Sequence, residues 1–171
     1  MRLTVVLWTL VWLAGLAPAA PADTQYGHAP IDIQASLFIK LFVFNNDLAG
    51  GDDLVIHVID APELAAEMRK SVGQSIGTSR LAGVTEGDGL PETPPSVIYL
   101  GRPELLDAVT AYTHDQKILS ITGLPELVAR GITLGVGTLN RKPRILFNVS
   151  ASEKEGMNWN PVILKITDVI K

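Results

Sequence analysis

Apolar residues in the middle of the chain form short continuous runs that alternate with stripes at helical spacing. The runs are rich in β-branched residues, which favours strands covered on both faces. The clearest stripe places Leu64, Met68 and Val72 on one helical face. The turn-rich stretch 73–95 predicts at most one short strand, near 80–85. The pattern predicts strands at 54–60, 96–101 and 117–122 and helices at 62–72, 104–114 and 125–130.

The segment 31–47 predicts a first helix that is apolar nearly all round. Its apolar residues recur at helical spacing, and Lys40 is the only charge in its central part. A helix of this kind is either deeply buried or partly committed to a partner. We therefore expect Phe38, Phe42 and Phe44 to contribute to a partner-binding surface, either for another protein or for a homodimer.

Two further apolar stretches, 132–139 and 144–149, are joined by Asn-Arg-Lys-Pro, which is too short for a crossover helix and predicts an antiparallel hairpin. In the last segment, 158–171, Asn160 is the expected cap and Pro161 the first residue of an amphipathic helix. We expect this helix to contribute, with the first helix, to the homodimer or partner surface. The expected fold class is α/β, with a layered, mostly parallel β-sheet and helices on both faces. It ends in the antiparallel hairpin and the amphipathic C-terminal helix.

The first residues have the order of a secretory signal peptide: one Arg, an apolar run, and small residues that end in Ala-Pro-Ala. We expect a signal peptide at 1–22, a linker at 23–30 and a single α/β domain at 31–171. A retained anchor helix is the alternative, but the apolar run is shorter than the roughly 20 residues that span a bilayer. The expected location is the periplasm, with no stable membrane insertion after cleavage.

Composition narrows the possible partners. The chain has no cysteine, so disulfides and lipid attachment at a cysteine are excluded, and ordinary burial must stabilise the domain. Its formal net charge is −4, and cleavage would remove the positive charge of Arg2. An acidic surface does not in general attract nucleic acid or anionic lipid.

The tripeptide Pro-Glu-Leu occurs at 62–64, 103–105 and 125–127, each time after a β-rich run. Proline suits the first turn of a helix, and glutamate suits the positive end of the helix dipole, so the motif is a helix-start signal. Its carboxylates argue against phosphate binding at these helix ends. No dinucleotide or other cofactor is expected.

The remaining polar residues do not predict a catalytic or metal-binding constellation. His28, His57 and His114 have neither metal-ligand spacing nor a paired nucleophile, and His57 is expected to be a satisfied sheet residue. We therefore expect neither enzymatic activity nor a metal site. Asp60 ends the predicted strand 54–60 and suits either a helix cap or a ligand site.

Two candidate binding sites follow from position alone. A small-ligand crevice at the carboxyl ends of the strands would include Asp60, Gly101, Arg102 and Gly123. A basic spot at the hairpin tip contains Arg141, Lys142 and Arg144. Those three charges suit either a solvated edge that resists aggregation or an anionic docking site, and we include them among the candidate partner-binding residues.

Three stretches, 33–44, 117–136 and 144–166, resemble the YfiR-like family of bacterial periplasmic proteins. The similar features are the apolar first helix, the strand and short helix followed by glycine, the Phe-x-Asn strand and the final amphipathic helix. The resemblance implies a non-enzymatic regulator that modulates a membrane signalling partner of the diguanylate cyclase or sensor-kinase type. The alternative function is a periplasmic small-ligand sensor or carrier that uses the crevice.

Overall fold

The computed structural model describes residues 25–170, and the predicted signal peptide lies outside these residues. Helices alternate with strands through most of the described chain, as the apolar pattern predicts. The strands are β1 (Gly27–His28), β2 (Asp53–Ile59), β3 (Ser75–Ile76), β4 (Ser79–Gly87), β5 (Val97–Leu100), β6 (Leu119–Thr122), β7 (Leu134–Leu139), β8 (Lys142–Asn148) and β9 (Asp168–Ile170). The helices are α1 (Ile31–Leu41), α2 (Pro62–Arg69), α3 (Leu106–Gln116), α4 (Val149–Lys154) and α5 (Ile163–Ile166), with 3₁₀ turns at Phe42–Phe44, Pro103–Leu105 and Pro125–Leu127.

All described strands belong to one sheet in the order β3-β4-β2-β5-β6-β7-β8-β9, and β1 pairs with β7 beyond the part of β7 that pairs with β6. The neighbours from β4 to β7 run parallel, as do β8 and β9. The β7–β8 hairpin is antiparallel. The predicted α/β class is confirmed: a mostly parallel sheet with several helices, a terminal hairpin and a short C-terminal helix.

Successive residues of the central strands face opposite sides of the sheet and enter two separate apolar clusters. Val97 and Tyr99 pack with α1 and α2 in the larger cluster. Ile98 and Leu100 pack with α3 in the smaller one. Every residue of β5 is buried, which agrees with a strand covered on both faces.

The first helix after β2 is shorter than predicted. α2 ends at Arg69, and turns follow up to Gly73, whose φ of +92° lies in the left-handed region that favours glycine. Val72 therefore leaves the helical stripe, and its side chain is 43% exposed. The predicted end of this helix at Val72 is wrong, because the spacing of apolar residues gives no sign of the turns that follow Arg69.

Only the first Pro-Glu-Leu opens an α-helix directly. The second forms the 3₁₀ turn Pro103–Leu105 before α3, so α3 starts at Leu106 rather than at Glu104. The third forms only the turn Pro125–Leu127, and the predicted helix 125–130 is wrong. The amide of Ile132 donates to the Leu127 carbonyl at 3.1 Å, which closes the segment before a helix can extend.

Strand β4 is longer than the short strand expected near 80–85. It pairs with β2 over nearly its whole length, from Asp53 opposite Arg80 to Ile59 opposite Gly87. Most of its residues are partly or fully exposed, so its apolar signal is weak. Backbone pairing with a buried neighbour stabilises this strand, and single-residue preferences do not reveal that contribution.

The chain after Asn160 does not continue as one long helix. α5 is a single turn, Thr167 is extended, and β9 pairs in parallel with β8. The prediction that helix continues through Val169 and Ile170 is therefore wrong. Their β-branched side chains favour strand, and the free edge of β8 supplies the pairing partner.

The predicted linker 23–30 is also wrong where the structure describes it. β1 pairs with β7, and Ala29 is buried, with its carbonyl accepting a hydrogen bond from Gln34 Nε2 at 2.7 Å. On the side of this segment, backbone atoms make both contacts, so its side chains gave no signal of them.

Candidate functional site

Four large apolar side chains are exposed within one short C-terminal segment: Val162, Leu164, Ile166 and Val169. Leu164 is 50% exposed, and the four make up more than half of the large exposed apolar residues in the described chain. Ile163 lies between them and is buried, so it anchors α5 to the core. Single exposed apolar residues are ordinary, but a concentration of them marks an interaction site. We call these four residues the C-terminal apolar surface.

Contacts with the body of the protein hold the base of this surface in place. The Asn160 amide donates to the Phe44 carbonyl at 2.8 Å, and the Trp159 indole Nε1 donates to Ser152 Oγ at 2.9 Å. The Trp159 ring meets Phe147 edge to face, with ring centroids 5.3 Å apart. The exposed side chains therefore project from a fixed support, which lowers the conformational entropy lost on binding.

The predicted partner surface on the first helix is not exposed. Phe38 and Phe42 are fully buried in the larger core cluster, and Phe38 meets Tyr99 edge to face. Phe44 is partly buried and packs against the same cluster. The prediction that Phe38 and Phe42 contact a partner is wrong for the folded chain. The rest of the chain covers this apolar segment and makes it part of the core.

The basic hairpin tip is smaller than predicted. Asn140 and Arg141 have φ of 53° and 62°, which fits a two-residue hairpin turn, and Lys142 already belongs to β8. Arg144 pairs with Asp168 of β9, where its Nε donates to Oδ2 at 2.7 Å, and this hydrogen bond lowers the pKa of the Asp168 carboxyl. Of the three predicted tip residues, Arg141 and Lys142 remain exposed cations without an ion pair among the described residues.

The predicted ligand crevice lies at the carboxyl end of β2, between its two neighbours in the sheet, β4 and β5. Open α/β sheets usually bind ligands at such a position. Here Arg102 Nε donates to Asp60 Oδ2 at 3.0 Å across the gap. Gly101 packs closely against the backbone of Ile59 and Asp60. Of the four predicted residues, Asp60 alone lines the cavity of about 210 Å³ found there. The structure does not bring the four together around one cavity.

Gly123 has a packing role instead. Its amide donates to the Tyr99 hydroxyl at 3.0 Å, which in turn donates to Gln34 Oε1 at 3.1 Å. Burial raises the pKa of Tyr99 to about 12, so this hydroxyl stays protonated. A Cβ at Gly123 would overlap both Gln34 and Tyr99.

We expect Gly123→Ala to lower the free energy of unfolding by about 1–3 kcal/mol, because the added methyl group overpacks this contact. Gly83→Ala is the matched control, since an added Cβ there meets no atom within 4 Å, and it should change stability by less than about 0.5 kcal/mol. Urea denaturation followed by circular dichroism measures both. Equal, small effects would contradict the packing role.

Two other polar residues have structural surroundings. His57 Nδ1 lies 2.9 Å from Thr85 Oγ1, and its Nε2 lies 3.0 Å from the Gly89 carbonyl oxygen, so the expected satisfied sheet histidine is confirmed. Asp60 is not a helix cap: α2 has Ala61 at its N-cap without a side-chain hydrogen bond. Asp60 adopts φ +53° and forms the ion pair with Arg102 instead.

A buried carboxyl group at the end of α4 has no signal in the sequence pattern. Glu155 is fully buried, and its Oε2 accepts hydrogen bonds from Thr133 Oγ1 at 2.6 Å and from the Ser120 amide at 3.2 Å. Its Oε1 has no partner among the described residues. Desolvation raises the pKa of Glu155 to about 7, although these hydrogen bonds oppose the change. In sequence, Glu155 lies among charged residues and resembles an exposed one.

Comparison with known proteins adds no relative: no family model matches the chain, and no curated protein matches it. Within residues 25–170, no helix is both long and apolar enough to cross a membrane. The same residues contain no group of three or more His, Cys, Asp or Glu side chains placed to hold a metal ion. The C-terminal apolar surface is the candidate functional site, because its exposed apolar side chains are concentrated in one short segment.

Proposed function

We propose that this protein is a non-enzymatic periplasmic regulator that binds the periplasmic region of a membrane signalling protein through the C-terminal apolar surface. The observation that carries the proposal is the concentration of exposed apolar side chains between Val162 and Val169 on a fixed support. Full burial of a Leu or Ile side chain contributes about 1.5–3 kcal/mol, so a few such residues can drive association without a catalytic group.

The size of the surface favours a regulated partner over a permanent homodimer. A stable interface buries roughly 800 Å² on each partner, which is far more than four partly exposed side chains supply. The free edge of β9 adds little, because this strand has only three residues. We therefore assign the surface to a weaker contact with another protein.

The similarity of the sequence to YfiR-like proteins supports the class of partner. It favours a membrane protein of the diguanylate cyclase or sensor-kinase type, whose output changes when the regulator binds its periplasmic region. The partner should present an apolar helix or strand with few charges, because the C-terminal apolar surface would give a charged segment little electrostatic complementarity.

A photo-crosslinking amino acid at position 164 should capture this membrane protein in the native host. The same amino acid at position 72 is the matched control, because Val72 is similarly exposed. It lies beside β3 and β4, at the edge of the sheet farthest from β9. Mass spectrometry of the product specific to position 164 should identify a membrane signalling protein. A crosslink only to a second copy of this chain would overturn the assignment.

We also expect Leu164→Asp to weaken binding to that partner at least about tenfold, because a charge replaces a buried apolar contact. Val72→Asp should bind like the unchanged protein. In the host, Val72→Asp but not Leu164→Asp should restore signalling output, such as the cyclic-di-GMP level, in a strain that lacks the gene. Full restoration by a folded Leu164→Asp variant would contradict the proposal.

A further inference from the structure

Tertiary structure brings together a second group of basic residues that are distant in sequence. His114 lies near the end of α3, Arg130 follows the Pro125–Leu127 turn, and Lys154 ends α4. Together with Ser150 they line a cavity of about 240 Å³. No carboxylate lines this cavity, whereas four other cavities in the described chain each contain at least one Asp or Glu. It is a positively charged pocket on an acidic protein.

The charges of this pocket are not neutralised by the protein. Neither Arg130 nor Lys154 forms an ion pair among the described residues, although four other arginines do. Lys117 adds a further positive charge nearby, because its Nζ donates to the Lys154 carbonyl at 3.0 Å. Uncompensated cations that face one cavity attract an anion and gain from its binding.

His114, which lines this cavity, has an unused hydrogen-bonding atom. Its Nε2 is buried and has no hydrogen-bond partner among the described residues. A buried polar atom without a partner lowers stability, and an anion in the cavity would offer it an acceptor. Desolvation, and then the charges of Lys154 and Lys117, lower the pKa of His114. A bound anion would offset these positive charges.

We propose that this cavity binds a phosphate group, either as inorganic phosphate or as a phosphomonoester. Arg130 and Lys154 supply the charge, and His114 Nε2 and Ser150 Oγ supply neutral hydrogen bonds. The volume of about 240 Å³ lies below the roughly 300–1,000 Å³ of pockets for larger ligands, so it suits a phosphate group rather than a whole nucleotide. This site is separate from the C-terminal apolar surface and does not depend on its function.

Calorimetry on residues 23–171 tests the proposal with three probes: inorganic phosphate, glycerol 3-phosphate, and vesicles that contain phosphatidic acid. We expect saturable one-to-one binding of both soluble probes, weakened at least about tenfold by Arg130→Gln and by Lys154→Gln. Lys142→Gln removes another exposed, unpaired cation and should leave binding unchanged. Vesicle binding that needs Arg130 and is tighter than that of the soluble probes would identify a lipid headgroup as the source.

A nuclear magnetic resonance titration of the His114 imidazole gives an independent readout. Saturating phosphate should raise the pKa of His114, because the bound negative charge favours the imidazolium form. Leu164→Asp should not alter either result, so failure of the proposed partner contact is distinguishable from failure of this site. Absence of saturable binding to all three probes, or equal losses in Lys142→Gln and Arg130→Gln, would overturn the proposal.

Discussion

The Phe42→Asp variant is expected to lose at least about 4 kcal/mol of unfolding free energy, which is a large fraction of the roughly 5–15 kcal/mol that stabilises a typical domain. Phe42 is fully buried against the sheet in the larger core cluster. Truncation of a buried Phe alone costs about 3–5 kcal/mol, and a carboxylate placed there has no partner to offset its desolvation. Circular dichroism and urea denaturation measure the loss.

Val43→Asp is the matched control for this experiment. Val43 is the next residue in the same 3₁₀ turn, and its side chain is 47% exposed. The same introduced charge should change stability there by less than about 0.5 kcal/mol. If Phe42→Asp stays folded with an unchanged denaturation midpoint and loses only a binding partner, the burial of this residue is contradicted.

The second large effect concerns Glu155, whose burial should make the protein less stable as pH rises. Its pKa is raised from an ordinary 4.5 to about 7, mainly by desolvation. Between these values the folded chain binds more protons than the unfolded chain, so the free energy of unfolding falls with increasing pH. The contribution of Glu155 is complete below about pH 4.5, and about 3 kcal/mol is lost by about pH 7.

The Glu155→Gln variant isolates this effect from other titrating groups. His114 acts in the opposite sense, because its lowered pKa favours the neutral form in the folded chain and so reduces stability toward low pH. The difference in unfolding free energy between the unchanged protein and Glu155→Gln should therefore be followed from pH 5 to 8.5. The variant should gain relative stability with pH, and it should be the more stable of the two above pH 7.

Glu153→Gln is the control for that series, because Glu153 is exposed in the same helix. Its stability should follow that of the unchanged protein at every pH. A relative stability of Glu155→Gln that does not change with pH would show that Glu155 is ionised in both states, and the desolvation argument would fail.

The central strands were predictable because burial on both faces removes the polar alternation. β2, β5 and β6 appear as continuous apolar runs, and proline with glutamate indicates where helical turns begin. The β7–β8 hairpin was predictable because its connection is too short for a helix. These features depend on residues close together in the chain.

The functional surfaces were harder to predict because the same local pattern suits two environments. The apolar first helix suits both a core and a partner surface, and packing against Tyr99 and the sheet makes it core. Conversely, four of the six Val, Ile and Leu residues between positions 162 and 170 are exposed. Which stripe is covered depends on what the rest of the chain places beside it.

The sequence by itself determined the α/β class, the buried central strands and the hairpin, because each follows from spacing within a short segment. Tertiary structure alone decided that β9 adds to the sheet, that Phe38 and Phe42 are buried, and that His114, Arg130 and Lys154 share a cavity. Those outcomes depend on contacts between residues far apart in the chain, which local periodicity does not encode.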